Sequence, residues 1–203
     1  MNGGKGQIVT ESMIQNALYR HLRWDKSFIY IFPNMASITM YEADILAVTR
    51  SGYASEYEIK LSLSDFRADR KKREKHCSLS GEIRKIVYPY PWGKGREIYV
   101  TRDAPEDPYK AMRHECWPEQ RPKYFWYVIH GFDVPEGELP DYAGLMRFLP
   151  SPPGAHRPPQ DNFDFKKWAP KLDSRPVNPE RIARATTNML YRYWELRLKE
   201  RTA

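Results

Sequence analysis

Three acidic residues and a lysine fall at strand spacing in two short runs, "YEADILAV" (41–48) and "ASEYEIKL" (54–61), on either side of the turn-like "TRSGY". Side chains alternate across a strand, which puts Asp44, Leu46 and Val48 on one face of the first run and Glu56, Glu58 and Lys60 on one face of the second. With a turn centred near Ser51, position 44 stands opposite position 58. Directly opposed Cβ atoms lie about 5 Å apart, so two carboxylates there repel unless a cation sits between them. One or two carboxylates, with the remaining positions left to water and phosphate, describe a Mg²⁺ or Mn²⁺ site for phosphoryl chemistry rather than a zinc site. Lys60 shares the face of Glu58 and can reach an attacking water or a scissile phosphate, where its charge stabilises developing negative charge. Glu56 reads as a solvated strand residue or a partner outside the ligand set. A Glu-x-Lys pair alone is also what an exposed strand edge carries for solubility, so the ordered set of residues has to carry the argument.

The elements that must position this set are visible on both sides of it. In "TESMIQNALYRHL" the residues Ile14, Ala17, Leu18 and Leu22 recur at helical spacing behind Thr10 as N-cap, which predicts a helix over about 11–23. "FIYIF" (28–32) reads as a strand, and the two charged runs form a β-hairpin. Ser64 or Asp65 then caps a second helix running to about His76, through the basic "RADRKKREK" (67–75). A helix launched from the Glu58–Lys60 strand carries its charges beside the site. Arg70, Lys71, Lys72, Arg73 and Lys75 are therefore expected as DNA-backbone contacts, with Lys72 and His76 facing the site. The alternative is a solvated face with ordinary Asp69–Arg73 or Arg70–Glu74 pairs.

The chain has 203 residues and a formal net charge of +7. That length suits one full core with embellishments, and the basic excess favours a polyanionic partner. Two cysteines, Cys77 and Cys116, are too few for a disulfide framework. "MNGGKGQIVTES" lacks the apolar stretch of a signal peptide and no apolar run approaches a bilayer's thickness, so a cytoplasmic chain without a membrane partner is expected. His76-Cys77 and His114-x-Cys116 lack the usual zinc spacing and read as buried or surface side chains.

Residues 77–122 read as an insertion, with short strands in "KIVYPYPWGKG" and "REIYVT" and a short helix in "DPYKAMRHECW". There Tyr88, Tyr90 and Trp92 are expected to pack a loop rather than to stack on bases. "KYFWYVI", where Trp126 is expected in the core, and "YAGLMRFL" are strand-like, and "PSPPGAHRPPQDN" is a proline-rich connector. This organisation gives a domain over 1–150, a connector over 151–177 and a C-terminal basic helix over 178–203. Asn178 and Pro179 start that helix, and Ile182, Ala185, Met189, Tyr193 and Leu196 form its apolar stripe.

The ordered set resembles the PD-(D/E)XK nuclease superfamily, in which a helix with a Glu is followed by a strand with an Asp, a strand bearing Glu-x-Lys, and a helix. The matching residues are Glu11, Asp44 and Glu58-Ile59-Lys60. More narrowly, "EIKLSLSDFRADRKKREKH" and "YFWYVIHGFDVPEGELPDYAGL" are similar to the MmcB-like and phage-encoded branches. The likeness covers about residues 10–76 and 122–148, and 77–122 has no counterpart. Ala43 stands where the superfamily's name has Pro. The resemblance implies an α/β fold with a restriction-endonuclease-like core, a mixed sheet of four or five strands flanked by helices. It also implies that Asp44, Glu58, the Ile59 carbonyl and Glu11 hold Mg²⁺ or Mn²⁺ while Lys60 is catalytic, in metal-dependent hydrolysis of DNA. Two alternatives stay open: a non-catalytic DNA-binding module of the same fold, and a structure-selective enzyme of repair or phage origin acting at junctions, flaps or nicks, as a homodimer.

Overall fold

The computed structural model describes residues 8–24, 27–36, 41–81, 83–88, 96–101, 114–116, 121–151 and 158–202; for 83–88, 96–101 and 114–116 only the backbone course is described. Helix α1 (Glu11–Trp24) begins where Thr10 Oγ1 accepts the Met13 N–H at 3.4 Å, and it buries Ile14, Leu18 and Leu22. Strands β1 (Phe28–Ala36), β2 (Glu42–Thr49) and β3 (Ala54–Lys60) follow as an antiparallel meander. Gly52, at φ +83°, supplies the left-handed residue that the tight β2–β3 turn requires.

Helices α2 (Leu63–Arg70) and α3 (Arg73–Ser80) come next, and then β4 (Ile83–Tyr88), β5 (Arg96–Thr101) and β6 (His114–Cys116), which pair as a separate antiparallel sheet in the order β5-β4-β6. The chain returns to the main sheet with β7 (Tyr124–Ile129), β8 (Ala143–Phe148) and, after a 3-10 turn at Pro159–Asn162, β9 (Phe163–Lys167), and it ends in α4 (Pro179–Thr202). The main sheet has the order β1-β2-β3-β7-β8-β9, with β3, β7 and β8 parallel to one another and the other pairs antiparallel. The protein is thus an α/β chain with a six-stranded mixed sheet flanked by helices. Among the described residues no helix is long and apolar enough to cross a membrane.

Alternation along the strands sorts the core. Ile45, Ala47, Tyr57, Ile59, Trp126 and Val128 face α1. On the other side, Leu46, Val48 and Ala54 meet α4 through Ala185, Ile182 and Met189, while Phe125, Tyr127 and Ile129 meet Phe66 and Leu79 of α2 and α3. The Glu58–Lys60 row of β3 lies on this second side, between the two apolar clusters.

Four expectations need correction. Ser62, not Ser64 or Asp65, caps the second helix, its Oγ accepting the Asp65 N–H at 3.1 Å. The helix is also interrupted: Lys71 N–H turns back to the Ala68 and Asp69 carbonyls and Lys72 N–H to the Asp69 carbonyl, short bonds that tighten the chain and end α2. His114–Cys116 is a strand rather than part of a helix, because pairing with Lys85–Val87 of β4 outweighs local propensity. The core does not end near 150, since β9 extends the sheet beside β8, and Val177 packs with Leu46 and Val48. Residues 90 and 92, the 102–113 part of the expected short helix, and the 152–157 part of the proline-rich connector lie outside the described residues. So do the side chains of Arg73, Cys77, Tyr88, His114 and Cys116.

Candidate active site

The β2–β3 hairpin pairs Ile45 with Tyr57, Leu46 with Glu56 and Ala47 with Ser55, and one step beyond Ile45–Tyr57 Asp44 comes opposite Glu58. Asp44 Oδ2 accepts the Ile59 N–H at 2.5 Å, which fixes its carboxyl at the Glu58–Lys60 corner of β3. Burial first, and then the charge of Glu58, push the Asp44 carboxyl up to about 7, with Glu11 adding to the effect and the Ile59 N–H and Lys60 opposing it. Burial and the neighbouring Glu58 charge thus both disfavour the ionised form of this carboxyl.

Glu58 is buried, and both its oxygens are engaged by ammonium groups, Oε1 by Lys60 Nζ at 2.9 Å and Oε2 by Lys75 Nζ at 2.9 Å. Burial works against the Lys60 ammonium. Glu58, by charge and hydrogen bond, and then Asp69 and Asp65 more than reverse this, so its pKa stands above the ordinary lysine value.

The next layer is organised by Asp69, which is 2% exposed. Its carboxylate receives Lys75 Nζ at 3.1 Å, Lys72 Nζ at 3.0 Å and the Tyr127 hydroxyl at 2.9 Å, and Lys60 Nζ lies 3.9 Å away. His76 Nε2 stands 2.9 Å from the Asp69 carbonyl oxygen, and its Nδ1 pairs with the Tyr142 hydroxyl at 2.5 Å. Burial alone would raise the Asp69 pKa, but the His76 contact and the Lys75, Lys60 and Lys72 charges hold it far below the usual carboxylate range. Burial, with the charge of Asp69 second, keeps the Tyr127 phenol well above its ordinary value, so the hydroxyl stays a donor.

The break at Lys71–Lys72 makes this cluster possible. In a straight helix, residues seven apart are about 10 Å apart along the axis, too far for the His76 imidazole to reach the Asp69 carbonyl. Folding back across the break brings Lys75 and His76 under α2 and onto β3.

This overturns part of the expected DNA track. Lys75 is 2% exposed and bridges two carboxylates, and His76 is tied to Tyr142 and Asp69, so neither is open to a phosphate backbone. Lys72 pairs with Asp69 but stays half-exposed, while Lys71 is exposed. Arg70 is exposed too and donates to the Glu138 carbonyl, next to the Arg67–Glu138 pair at 2.6 Å. Glu56, expected as a solvated strand residue or a partner outside the ligand set, is 1% exposed, and the Arg73 and Glu74 side chains needed for the alternative Asp69–Arg73 and Arg70–Glu74 pairs lie outside the described residues.

On the α1 side, Glu11 is exposed in the first helical turn and is linked through Gln15 to the Asp44 main chain. Gln15 Nε2 donates to Glu11 Oε1 at 3.2 Å and to Asn34 Oδ1 at 2.8 Å, and lies 3.5 Å from the Asp44 carbonyl. Asn34, the residue of β1 level with Asp44, adopts φ 48°, a conformation that asparagine tolerates better than most residues. Gln15 had a signal in the sequence, being one turn beyond Glu11 on the same helix face. Asn34, Asp69 and Tyr127 had none, because their roles depend on contacts between residues distant in the chain or across a helix break.

Among the described residues, no three His, Cys, Asp or Glu side chains gather as a complete ligand set. The donors at the corner are the Asp44 and Glu58 carboxylates and the nearby main chain of Ile59, a hard-oxygen set that suits a cation keeping several waters. The opposition of the Asp44 and Glu58 carboxylates across the hairpin, beside the Ile59 main chain, is the geometry that fits such an ion.

No family model matches the chain, and no curated protein matches it. Among solved structures, a Silicibacter pomeroyi protein of unknown function is similar, with a TM-score of 0.52 at 15% identity over 96% of this chain and 95% of that one. The likeness extends along nearly the whole chain and concerns the fold alone.

Proposed function

We propose that the protein is a Mg²⁺- or Mn²⁺-dependent nuclease that hydrolyses DNA phosphodiester bonds, built on a restriction-endonuclease-like core. The observation that carries this reading is the meeting of Asp44 and Glu58 across one hairpin with Lys60 two residues on, all at one corner of a buried strand. The α1-β1-β2-β3-helix-β7 order, with β3 and β7 parallel, supports the same reading. Asp44, Glu58 and the Ile59 carbonyl would hold the cation, with Glu11 adding negative charge from α1. When bound, the cation would activate water and neutralise the phosphate.

The chain's own residues do the remaining work. Lys60 holds a positive charge at the site at any ordinary pH and stabilises the charge that builds on the phosphate. Asp69 keeps Lys60 and Lys75 oriented, and Lys75 balances Glu58 in the metal-free protein. Lys71 and Lys72 present charge beside the corner for the DNA backbone.

A non-catalytic DNA-binding module has one observation in its favour, the capture of both Glu58 oxygens by ammonium groups. Cleavage separates the two readings. Supercoiled, linear, single-stranded and branched DNAs incubated with Mg²⁺ or Mn²⁺ should be cut, and EDTA or Ca²⁺ should stop the reaction. Intact substrates throughout the panel, with DNA bound, would establish the module instead.

A further inference from the structure

Away from the carboxylates, on the α1 side of the sheet, a cavity of about 320 Å³ opens beside the N-terminal half of β3. That volume is within the range of small-molecule sites. Tyr57 and Trp126 form its floor, with rings nearly parallel at 8° and centroids 6.4 Å apart. Phe165 and Trp168 stack at 4.6 Å and stand at 75–81° to the Trp126 ring, making a wall at right angles to the floor. Trp168 is 72% exposed and covers Trp126 and Phe165 at the edge of the core, leaving much of its indole open to solvent.

The polar side chains lining this cavity include His21, Ser27, Thr49, Tyr53, Ser55 and Lys123, and Lys123 is the one lysine among them. Lys123 Nζ lies 4.2 Å from the Tyr53 ring centroid and 5.5 Å from that of Tyr124, and among the described residues no carboxylate pairs with it. No Asp or Glu lines the cavity. Ser55 is 3% exposed, lies on the face of Tyr57 and lines the cavity. A flat aromatic corner, hydroxyl groups along the lining and an ammonium at the side suit a planar ring with hydrogen-bonding atoms and an attached anion.

We propose that this cavity binds a nucleotide, its base against the Tyr57–Trp126 floor and the Trp168 wall and its phosphate at Lys123. Stacking on aromatic side chains accepts every base, and Ser55 offers one hydrogen bond to a base edge. A cationic ligand is disfavoured by Lys123, and a purely apolar one makes no use of its charge. The proposal does not rest on the nuclease reading: the cavity lies on the opposite face of the sheet from Glu58 and Lys60.

Calorimetric titration in EDTA, where no cleavage intervenes, tests it. The probes are dAMP, deoxyadenosine, inorganic phosphate and a short single-stranded oligodeoxyadenylate. Binding of dAMP is expected, with deoxyadenosine about tenfold weaker and phosphate alone without measurable affinity. Trp168→Ala and Lys123→Gln should each weaken dAMP about tenfold with the fold retained by circular dichroism, since Trp168 is exposed and Lys123 only partly buried. An oligonucleotide that binds about tenfold tighter than dAMP and responds to the same substitutions identifies an unpaired strand as the source, and equal affinity identifies the free nucleotide. No binding of dAMP at about 10 mM, or binding indifferent to both substitutions, overturns the proposal.

Discussion

Asp44 is the residue whose chemistry departs furthest from its type in a way that can be titrated. In the unfolded chain its carboxyl ionises near 4, and in the fold it holds its proton to about 7 because of burial and the neighbouring Glu58. Between these values the native state binds a proton that the unfolded chain has released, so this group's contribution to stability is lost as pH rises from 4 to 7 and is level above that. Asp44→Asn in EDTA should therefore melt higher than wild type at pH 8 and close to it at pH 4; equal differences at both would show that Asp44 is not strained. Mg²⁺ or Mn²⁺ should raise the wild-type melting temperature more at pH 8 than at pH 5.5, because a carboxylate must be ionised to bind it. Asp69 makes the opposite case, a buried carboxylate that its cations hold ionised. Asp69→Ala leaves Lys75 buried beside one carboxylate instead of two and should cost about 3–5 kcal/mol in urea unfolding. A loss under 1 kcal/mol would mean that the cluster is incidental.

At the scale of elements, β8 shows how closely the sheet depends on one small residue. A Cβ placed on Gly144 would come within 2.4 Å of the Trp126 ring and 2.7 Å of the Ala169 nitrogen. Gly144→Ala is expected to cost about 1–3 kcal/mol by overpacking, measured by denaturant unfolding, and an unaltered midpoint would contradict this packing of Trp126. The hairpin and its facing residues were legible in the sequence because alternation has a period of two and the turn was short, which leaves one sensible register for Asp44 and Glu58. The Lys75–Asp69 arrangement was not, because helical spacing assumes an unbroken helix and the chain breaks at Lys71–Lys72 through short backbone hydrogen bonds that no residue type there announces. β9 was missed for a different reason: "FDFKK" is short, lies just after a proline-rich segment and gains its identity by pairing with β8. Asn178 capped α4 as expected, its Oδ1 accepting the Glu180 N–H at 2.9 Å, and Ile182, Ala185 and Met189 pack on β1 and β2. Tyr193 and Leu196, predicted to continue that stripe, are exposed, because a helix of 24 residues is about 36 Å long and outruns the strands beneath it.

For the molecule as a whole, the net charge of +7 acquires meaning only through where it lies. Part of the basic run is buried to balance Glu58 and Asp69, and among the described side chains Lys71 and the half-exposed Lys72 remain open to a duplex near the site. Replacing both by Ala should flatten the slope of log affinity against log salt by about 1.8, roughly 0.9 for each phosphate no longer neutralised, without altering sequence preference. Fluorescence anisotropy with Ca²⁺ across a salt series reads this directly, and an unchanged slope would move the DNA track elsewhere, with Arg192, Arg197 and Lys199 of α4 next to be tried. The central claim concerns Lys60 and the paired carboxylates acting as one catalytic unit. Its most direct test is single-turnover cleavage of supercoiled plasmid in Mg²⁺ and in Mn²⁺ by wild type, Glu58→Ala and Lys60→Ala. The account predicts cutting by wild type, a drop of at least about a thousandfold in rate for either variant and DNA binding largely kept by Lys60→Ala. Cleavage by Lys60→Ala at the wild-type rate would contradict it.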